Sequence, residues 1–485
     1  MNTKASNEEV LQRLTTGDPI IFRGENLSEL AAQSLLNVVS NNAAKKKSFL
    51  LSVSKSLIKA MVVPIWQKSA TAVFQLLGYI KKKNDASICF FSFASSHTAV
   101  LIPIVREMQE KGIHSFNFVR ASIGLSRLPS EIKRYQQITG DKPALLEQYY
   151  DLVLLARYYV CVFSMLGRFL KYCLKNREWV RLHWVDNNPV IQMFPEFALY
   201  FAPLSYLVLQ TGLKNFTHSR AFLFGFDNCP RGRALVVTAV RNQIKTVSIQ
   251  HGIMAIPRFY LPYAEKIVVW NDQDAEKLIS AGANRERLLV WGSPLFGDVH
   301  SSKNWTSGNT LKVIFALTAG VPAIQVKKDV DLILAAISSI SERKLELVIR
   351  PHPIDRRDFR RILNLRNVQI SSEDDFSDLI KGCSLGIMYY SSVVLHFVLN
   401  NIPVAALLWD DLFDPTGVVQ EKVVQKIRTT DDLAILVNLI ERNDRAFQHE
   451  FMKEREIFLK KYLPEPGTVV CNKVISYLFN EEGRS

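Results

Sequence analysis

The sequence predicts an α/β protein: two doubly wound Rossmann-like domains facing a cleft, behind a helical, basic N-terminal extension. Three observations predict it. Short apolar runs alternate with helical stretches twice over, across 86–298 and again across 311–443. A polar, turn-rich stretch, His300–Asn309, separates the two series inside a linker placed at 299–310. Polar residues suited to an anion stand where apolar runs end: Gln250-His251-Gly252, Arg350-Pro351-His352-Pro353 and Ser391-Ser392. In open α/β sheets, ligands bind outside the carboxyl ends of the strands.

The extension spans 1–85. In the first domain, Ile88–Phe93 reads as a buried strand ending at Ala94-Ser95-Ser96-His97. Thr98–Lys111 reads as a helix stopped by Gly112, and Phe116–Val119 as the next strand. That unit is a βαβ crossover, so the sheet is parallel. Residues 143–178 read as helical with a core-like stripe, and 190–215 give no clear pattern. Ala221–Phe226 reads as a strand running to Asp227, Arg231–Asn242 as a helix, and Thr246–Ile249 as the strand that delivers His251. Lys266–Trp270 reads as a strand. A helix follows over Asp272–Ala281, with Asp272 as its N-cap and Gly282 as its stop. Leu288–Trp291 reads as a strand broken by Gly292-Ser293-Pro294.

The second domain repeats the pattern. Strands are expected at Val313–Leu317, Leu345–Ile349, Val368–Ile370, Ser384–Met388 and Val404–Leu408. Helices are expected at Asp329–Ser341, Asp355–Leu363, Phe376–Lys381 and Val393–Asn400. Residues 444–485 read as a charged helical segment.

At 485 residues, 48% hydrophobic and 22% charged, the chain is globular and too long for one core. The net charge of +14 favours an anionic partner: nucleic acid, anionic lipid or a phosphorylated substrate. The basic residues are not interleaved with aromatics in an RNA-binding module, so nucleic acid is not the expected partner. Cys89, Cys161, Cys173, Cys229, Cys383 and Cys471 form no CxxC pair and read as free thiols in a reducing compartment. Met1–Asp18 is polar and acidic-bearing, unlike a signal peptide. No uninterrupted apolar run reaches about 18 residues, so no spanning helix is expected. Phe49–Ile80 is apolar but broken by Lys55, Lys59 and Lys68, and flanked by Lys45-Lys46-Lys47 and Lys81-Lys82-Lys83. It suits a helical hairpin on an anionic membrane face, or two helices packed on the first domain.

The candidate chemistry sits at the strand ends. Arg350 offers a planar fork of donors to phosphate oxygens, His352 adds an imidazole, and two prolines pin the turn. Ser391 and Ser392 precede a helix, where they either bind an anion or merely cap it. Thr318-Ala319-Gly320 is a further phosphate contact of low weight. His251 can act as a general base or bind an acceptor. Asp227 is the best nearby carboxylate; it takes a proton, orients His251, or caps a helix entry. No Cys/His cluster is present, and Asp374-Asp375 and Asp410-Asp411 read as loops or caps, so neither metal nor cofactor is expected. No phosphate-binding P-loop, G-x-G-x-x-G turn or G-x-S-x-G elbow occurs.

These residues, with Asn401-Ile402-Pro403-Val404 after the last helix, resemble the bacterial GT-B glycosyltransferases of capsule and surface-polysaccharide biosynthesis. That group includes relatives of the Kdo transferases, the polysialyltransferases and the CDP-glycerol glycerophosphotransferases. The resemblance covers roughly 86–410, with Lys266–Trp270 and Gly292-Ser293-Pro294 fitting the interdomain pattern. It implies a nucleotide-sugar donor in the second domain, held through its phosphates by Arg350, His352, Ser391 and Ser392. It implies the acceptor in the first domain, near His251 and Asp227, and no catalytic metal. Two departures stand out. His396 occupies the place where relatives carry an acidic residue against the donor ribose, and the paired acidic motif of the polysialyltransferases is absent before His251.

The expected function is metal-independent transfer of a sugar from a nucleotide donor to a surface-glycan, lipid-linked acceptor. The expected place is the cytoplasmic face of an anionic membrane, as a peripheral protein. Two alternatives stay open: a CDP-polyol glycerophosphotransferase of the teichoic-acid type, and a non-catalytic membrane-surface binding protein.

Overall fold

The structure, a computed structural model, describes residues 21–22, 25–26, 49–81, 86–121, 128–178, 180, 194–254, 257, 261–296, 310–318, 321–338, 344–352, 355, 357–359, 368–371, 376–408, 414 and 416–479. The chain divides into two compact units. The first is Met1–His251, Pro257–Leu295 and Gly467–Ser485; the second is Gly252–Ile256 and Phe296–Pro466. Lys45–Lys47, Lys82, Lys83, the linker residues 300–309, Gly320, Pro353 and the acidic pairs at 374–375 and 410–411 lie outside the described residues.

The first unit holds seven parallel strands: β1 (Ile88–Ser92), β2 (Phe116–Arg120), β3 (Ala144–Leu145), β4 (Ala221–Phe224), β5 (Lys245–Ile249), β6 (Lys266–Val269) and β7 (Leu288–Val290). Their order is β3-β2-β1-β4-β5-β6-β7, so the winding reverses between β1 and β4. The strands are mostly buried because both faces are covered by helices. Successive side chains alternate between those faces. Phe91, Phe222 and Phe224 enter one core, and Phe90, Leu223, Val247 and Val268 the other. Each fully buried side chain of this kind contributes about 1.5–3 kcal/mol.

Among the described residues, α1 (Phe49–Leu76) precedes these strands, and α2 (Ser95–Glu110), α3 (Leu128–Thr139), α4 (Leu152–Lys175), α5 (Ala202–Asn215), α6 (Pro230–Arg241) and α7 (Asp272–Ser280) lie between them. The apolar tract from Phe49 is one continuous 28-residue helix, not a hairpin. Pro64 inside it removes the amide that would bond the Ala60 carbonyl. The Tyr158 hydroxyl of α4 donates to that carbonyl at 2.8 Å, and Tyr159 to Met61 O at 2.8 Å. Tyr158 therefore satisfies the carbonyl that the proline leaves without a donor, and the two tyrosines fasten α1 to the unit.

Ala144–Leu145 form β3 and Leu146–Tyr149 a short 3-10 turn rather than the start of a helix. Helix α4 is long and apolar enough to cross a membrane by length and composition alone, with a mean hydropathy of 1.5 over its best window, although Arg157 and Arg168 interrupt its apolar run. Its inner face, with Tyr158, Val162, Met165 and Phe169, belongs to the same core as Phe91. Asn271, not Asp272, caps α7; its side chain accepts from the Asp274 amide at 2.9 Å.

The second unit repeats the winding in six parallel strands: β8 (Thr310–Ala316), β9 (Lys344–Arg350), β10 (Val368–Ile370), β11 (Leu385–Met388), β12 (Val404–Leu407) and β13 (Val424–Ile427). Their order is β10-β9-β8-β11-β12-β13. Helix α8 (Ala323–Ser338) begins before the expected Asp329, whose carboxylate accepts from the Tyr389 hydroxyl at 2.7 Å. Of the helix expected over Asp355–Leu363, Asp355, Arg357 and Asp358 are not helical, and 360–363 lie outside the described residues. Short α9 (Phe376–Leu379) and α10 (Val393–Leu399) follow, then α11 (Thr430–Glu441) and α12 (Arg445–Tyr462). Buried Arg455 of α12 donates to the Val398 carbonyl at 2.9 Å, closing the C-terminal end of α10.

Helix α13 (Gly467–Phe479) returns to the first unit, where Val470, Val474 and Leu478 share a core with Val100, Ile104 and Met108 of α2.

Candidate functional site

In the first unit the register places Phe91, Phe224 and Ser248 side by side across β1, β4 and β5. The three strands therefore end at one edge, and Phe93–His97, Gly225–Asp227 and Gln250–His251 leave the sheet together there. His251 meets His97, the third residue of α2, with ring centroids 4.7 Å apart. Phe226 packs against both, 5.3 Å from His97 and 5.4 Å from His251. His97 is 8% exposed, and its Nδ1 has no hydrogen-bond partner among the described residues.

Burial pushes the His251 imidazole down to about 4, against a hydrogen bond it donates to the Gly225 backbone, which pulls it up. Burial, then the neighbouring His251 and Arg120, hold His97 well below its ordinary value. Both rings are thus neutral near pH 7, each with one nitrogen able to accept a proton. Gly225 makes the approach possible: a Cβ there would lie 2.6 Å from the His97 Cβ and carbonyl oxygen.

The direction of His251 is set by the residue before it. Gln250 is fully buried. Its Oε1 accepts from Trp270 N at 3.0 Å, its carbonyl from Trp270 Nε1 at 2.9 Å, and its Nε2 donates to Asp274 at 2.5 Å. These bonds tie the end of β5 to β6 and the first turn of α7. On the other side Arg120 donates to Glu131 at 2.7 Å and to the Ser92 and Ala121 carbonyls, which holds the ends of β1 and β2.

Asp227 is 2% exposed and sits beside this edge. Its Oδ2 accepts from the backbone amides of Tyr263, at 2.6 Å, and Ala264, and it is also bonded by Ser248. Burial raises its pKa, and those donors oppose the rise. This is the setting of a carboxylate that anchors the 263–264 backbone. The helix-entry cap is Cys229, whose Sγ accepts from the Gly232 amide at 3.3 Å, and not Asp227.

In the second unit Ala316 of β8 pairs with Arg350 on one side and Met388 on the other. Arg350 and Met388 are therefore two strand spacings apart, about 10 Å. The loops carrying His352, Thr318 and Ser391-Ser392 leave this one edge, at the reversal of winding. The Thr318 hydroxyl donates to the Tyr390 carbonyl at 2.8 Å, joining two of them. Arg350 lies over the Phe376 ring at 5.8 Å. The His352 carbonyl accepts from Asp355 N at 2.8 Å, and Asp355 pairs with Arg357. Burial lowers the His352 pKa; the Asp355 charge works against that and Arg350 adds to it.

Ser391 Oγ accepts from the Val393 amide at 3.3 Å, while Ser392, at the N-cap position, makes no side-chain capping bond. His396 lies between two rings, 5.1 Å from Phe296 and 5.2 Å from Phe376. Among the described residues no group of three or more His, Cys, Asp or Glu is placed to hold a metal ion.

His97 is the residue that sequence reasoning left out. Its signal was present: it closes the strand end Ala94-Ser95-Ser96-His97 as His251 closes β5.

No family model and no curated protein matches this chain. Solved structures do. One is a candidate UDP-N-acetylglucosamine 2-epimerase from Listeria monocytogenes, with a TM-score of 0.53 at 10% identity, covering 83% of this chain and 98% of that one. Another UDP-N-acetylglucosamine 2-epimerase matches with a TM-score of 0.52 at 10% identity, over 83% and 98%. The fold is GT-B-like: two Rossmann-type units, each a parallel sheet with alternating helices. Identity this low carries the likeness no further than the fold.

Proposed function

We propose that this chain is an enzyme acting on a nucleotide sugar, and within that class a glycosyltransferase that passes the sugar to a surface-glycan acceptor. The observation that carries the reading is the second sheet's edge. There Arg350 and His352 on one side of β8, and Ser391 and Ser392 on the other, flank the winding reversal with a span of about 10 Å. A nucleoside diphosphate has the charge and length for that span. The guanidinium, the imidazole and the hydroxyls would bind its phosphates and stabilise the leaving diphosphate without a metal. In the first unit His251 would accept the acceptor hydroxyl's proton. His97 and the Gln250 bonds hold it in place, and Asp227 keeps its anchoring role.

A second reading has one observation in its favour. Both structural neighbours reported above are described as 2-epimerases of a nucleotide sugar. Product analysis separates the two. With UDP-N-acetylglucosamine alone, an epimerase yields the C2 epimer. A transferase leaves the sugar unchanged until a glycan acceptor is added, and then releases the nucleotide. Turnover of CDP-glycerol in place of any nucleotide sugar would move the assignment to polyol phosphate transfer. Activity that survives a chelator supports the metal-free route, and loss restored by a divalent ion refutes it.

A further inference from the structure

Two helices of the first unit are apolar on the wrong side. On α4 the residues Leu152, Val160, Phe163, Leu170 and Leu174 recur at helical spacing, and all are exposed, Leu152 at 85% and Leu174 at 76%. The opposite face of α4 is in the core. On α1 the residues Ile58, Val62, Ile65, Val73 and Leu76 form a second exposed stripe, Leu76 at 87%. The opposite face, with Ser56, Ala60 and Thr71, is buried. The hydroxyls of Tyr158 and Tyr159 hold the two helices together. Soluble proteins rarely expose contiguous apolar surface on this scale without a partner for it.

The charges identify the partner. Together α1 and α4 carry seven Lys and Arg (Lys55, Lys59, Lys68, Arg157, Arg168, Lys171 and Lys175) and no Asp or Glu. Lys59 is paired with Glu196, and Lys68 donates to the Gln148 carbonyl. Arg157, Arg168, Lys171 and Lys175 fall together along one flank of the α4 stripe. An antiparallel two-fold contact with a second copy would set basic flank against basic flank. An anionic bilayer accepts both features at once: apolar side chains enter the acyl boundary, and the flanking cations meet the headgroups. The inner faces of both helices are built into the unit, so they lie in the plane of such a surface.

We infer that the outer face of α1 and α4 is a docking surface for an anionic lipid bilayer. This stands apart from the nucleotide-sugar reading, and its test contains no nucleotide.

The test is flotation of the full chain with vesicles of phosphatidylethanolamine containing a third phosphatidylglycerol, beside vesicles of phosphatidylcholine alone. The wild type floats with the anionic vesicles, does so less as salt rises, and is released by alkaline carbonate. The variant Arg157→Glu/Arg168→Glu/Lys171→Glu partitions at least about tenfold less, at about 1 kcal/mol per basic residue. Phe163→Asp/Leu174→Asp does the same. All these positions are exposed, and thermal melts by circular dichroism confirm that the variants fold. Bromine-labelled lipid quenches tryptophan fluorescence in the wild type and less in Trp66→Phe. Four results would each overturn the inference: no flotation of the wild type, equal flotation of the folded variants, retention after carbonate, or a dimer broken by Phe163→Asp with no lipid binding.

Discussion

Lowering the pH to 5 should destabilise the first unit through His251, and the size of the effect follows from the site. The imidazole titrates near 4 in the folded chain against an ordinary 6.5. Its folded-state pKa is depressed, so between those values the unfolded chain binds the extra proton. Stability is complete above about pH 6.5 and is lost as pH falls toward 4. Between pH 7.5 and 5 the loss from this one group is about 2 kcal/mol. His97, held low by the same burial and by His251 itself, adds to the slope in the same direction. The assay is urea unfolding followed by circular dichroism at pH 5 and pH 7.5, for the wild type and for His251→Gln. The glutamine cannot titrate, so the variant should lose at least about 2 kcal/mol less on acidification. Equal pH dependence in the two proteins would refute the assignment of a buried, neutral His251.

Other outcomes follow from single contacts. Gly225→Ala places a methyl 2.6 Å from the His97 backbone and Cβ, and 3.4 Å is the near limit of ordinary contact, so β4 and α2 must part by about 0.8 Å. The expected cost is about 2–3 kcal/mol in urea unfolding, with a loss of turnover larger than the loss of stability explains; a change under about 0.5 kcal/mol would contradict the packing. Tyr158→Phe leaves the Ala60 carbonyl without its donor beside Pro64, at an expected cost of about 1–3 kcal/mol. Hydrogen exchange should locate the loosening in α1, and unchanged protection there would argue against the tyrosine's role.

The parts of the fold legible in sequence were those whose residues carry their own periodicity. Ile88–Phe93 is a short apolar run and Thr246–Ile249 a short alternating one, each followed by polar residues, and both sheets could be anticipated from such segments. Helix α5 was not legible because Ala202–Leu209 is buried on every side, which erases the amphipathic pattern. β13 was missed because Val424–Ile427 is an edge strand of four residues, two of them polar. The tract from Phe49 suited a hairpin or two helices in the sequence, yet it is one helix that runs through Pro64. The long-range donor that lets the helix continue, Tyr158, is nearly a hundred residues away. The same limit applies to the site. His251, Arg350 and His352 announce themselves at strand ends. The pairing of His97 with His251, and the engagement of Asp227 with the amides at 263–264, depend on contacts between distant segments.

The most direct measurement is equilibrium binding of UDP, UDP-N-acetylglucosamine, CMP and CDP to the purified full chain by calorimetry, with His352→Ala and Arg350→Ala alongside. The account predicts saturable binding of at least one nucleotide, weakened at least about tenfold in each variant by the loss of a charge-assisted contact to phosphate. Absence of binding by every nucleotide, or undiminished affinity in both folded variants, would contradict the assignment of the second unit's strand edge as the donor site.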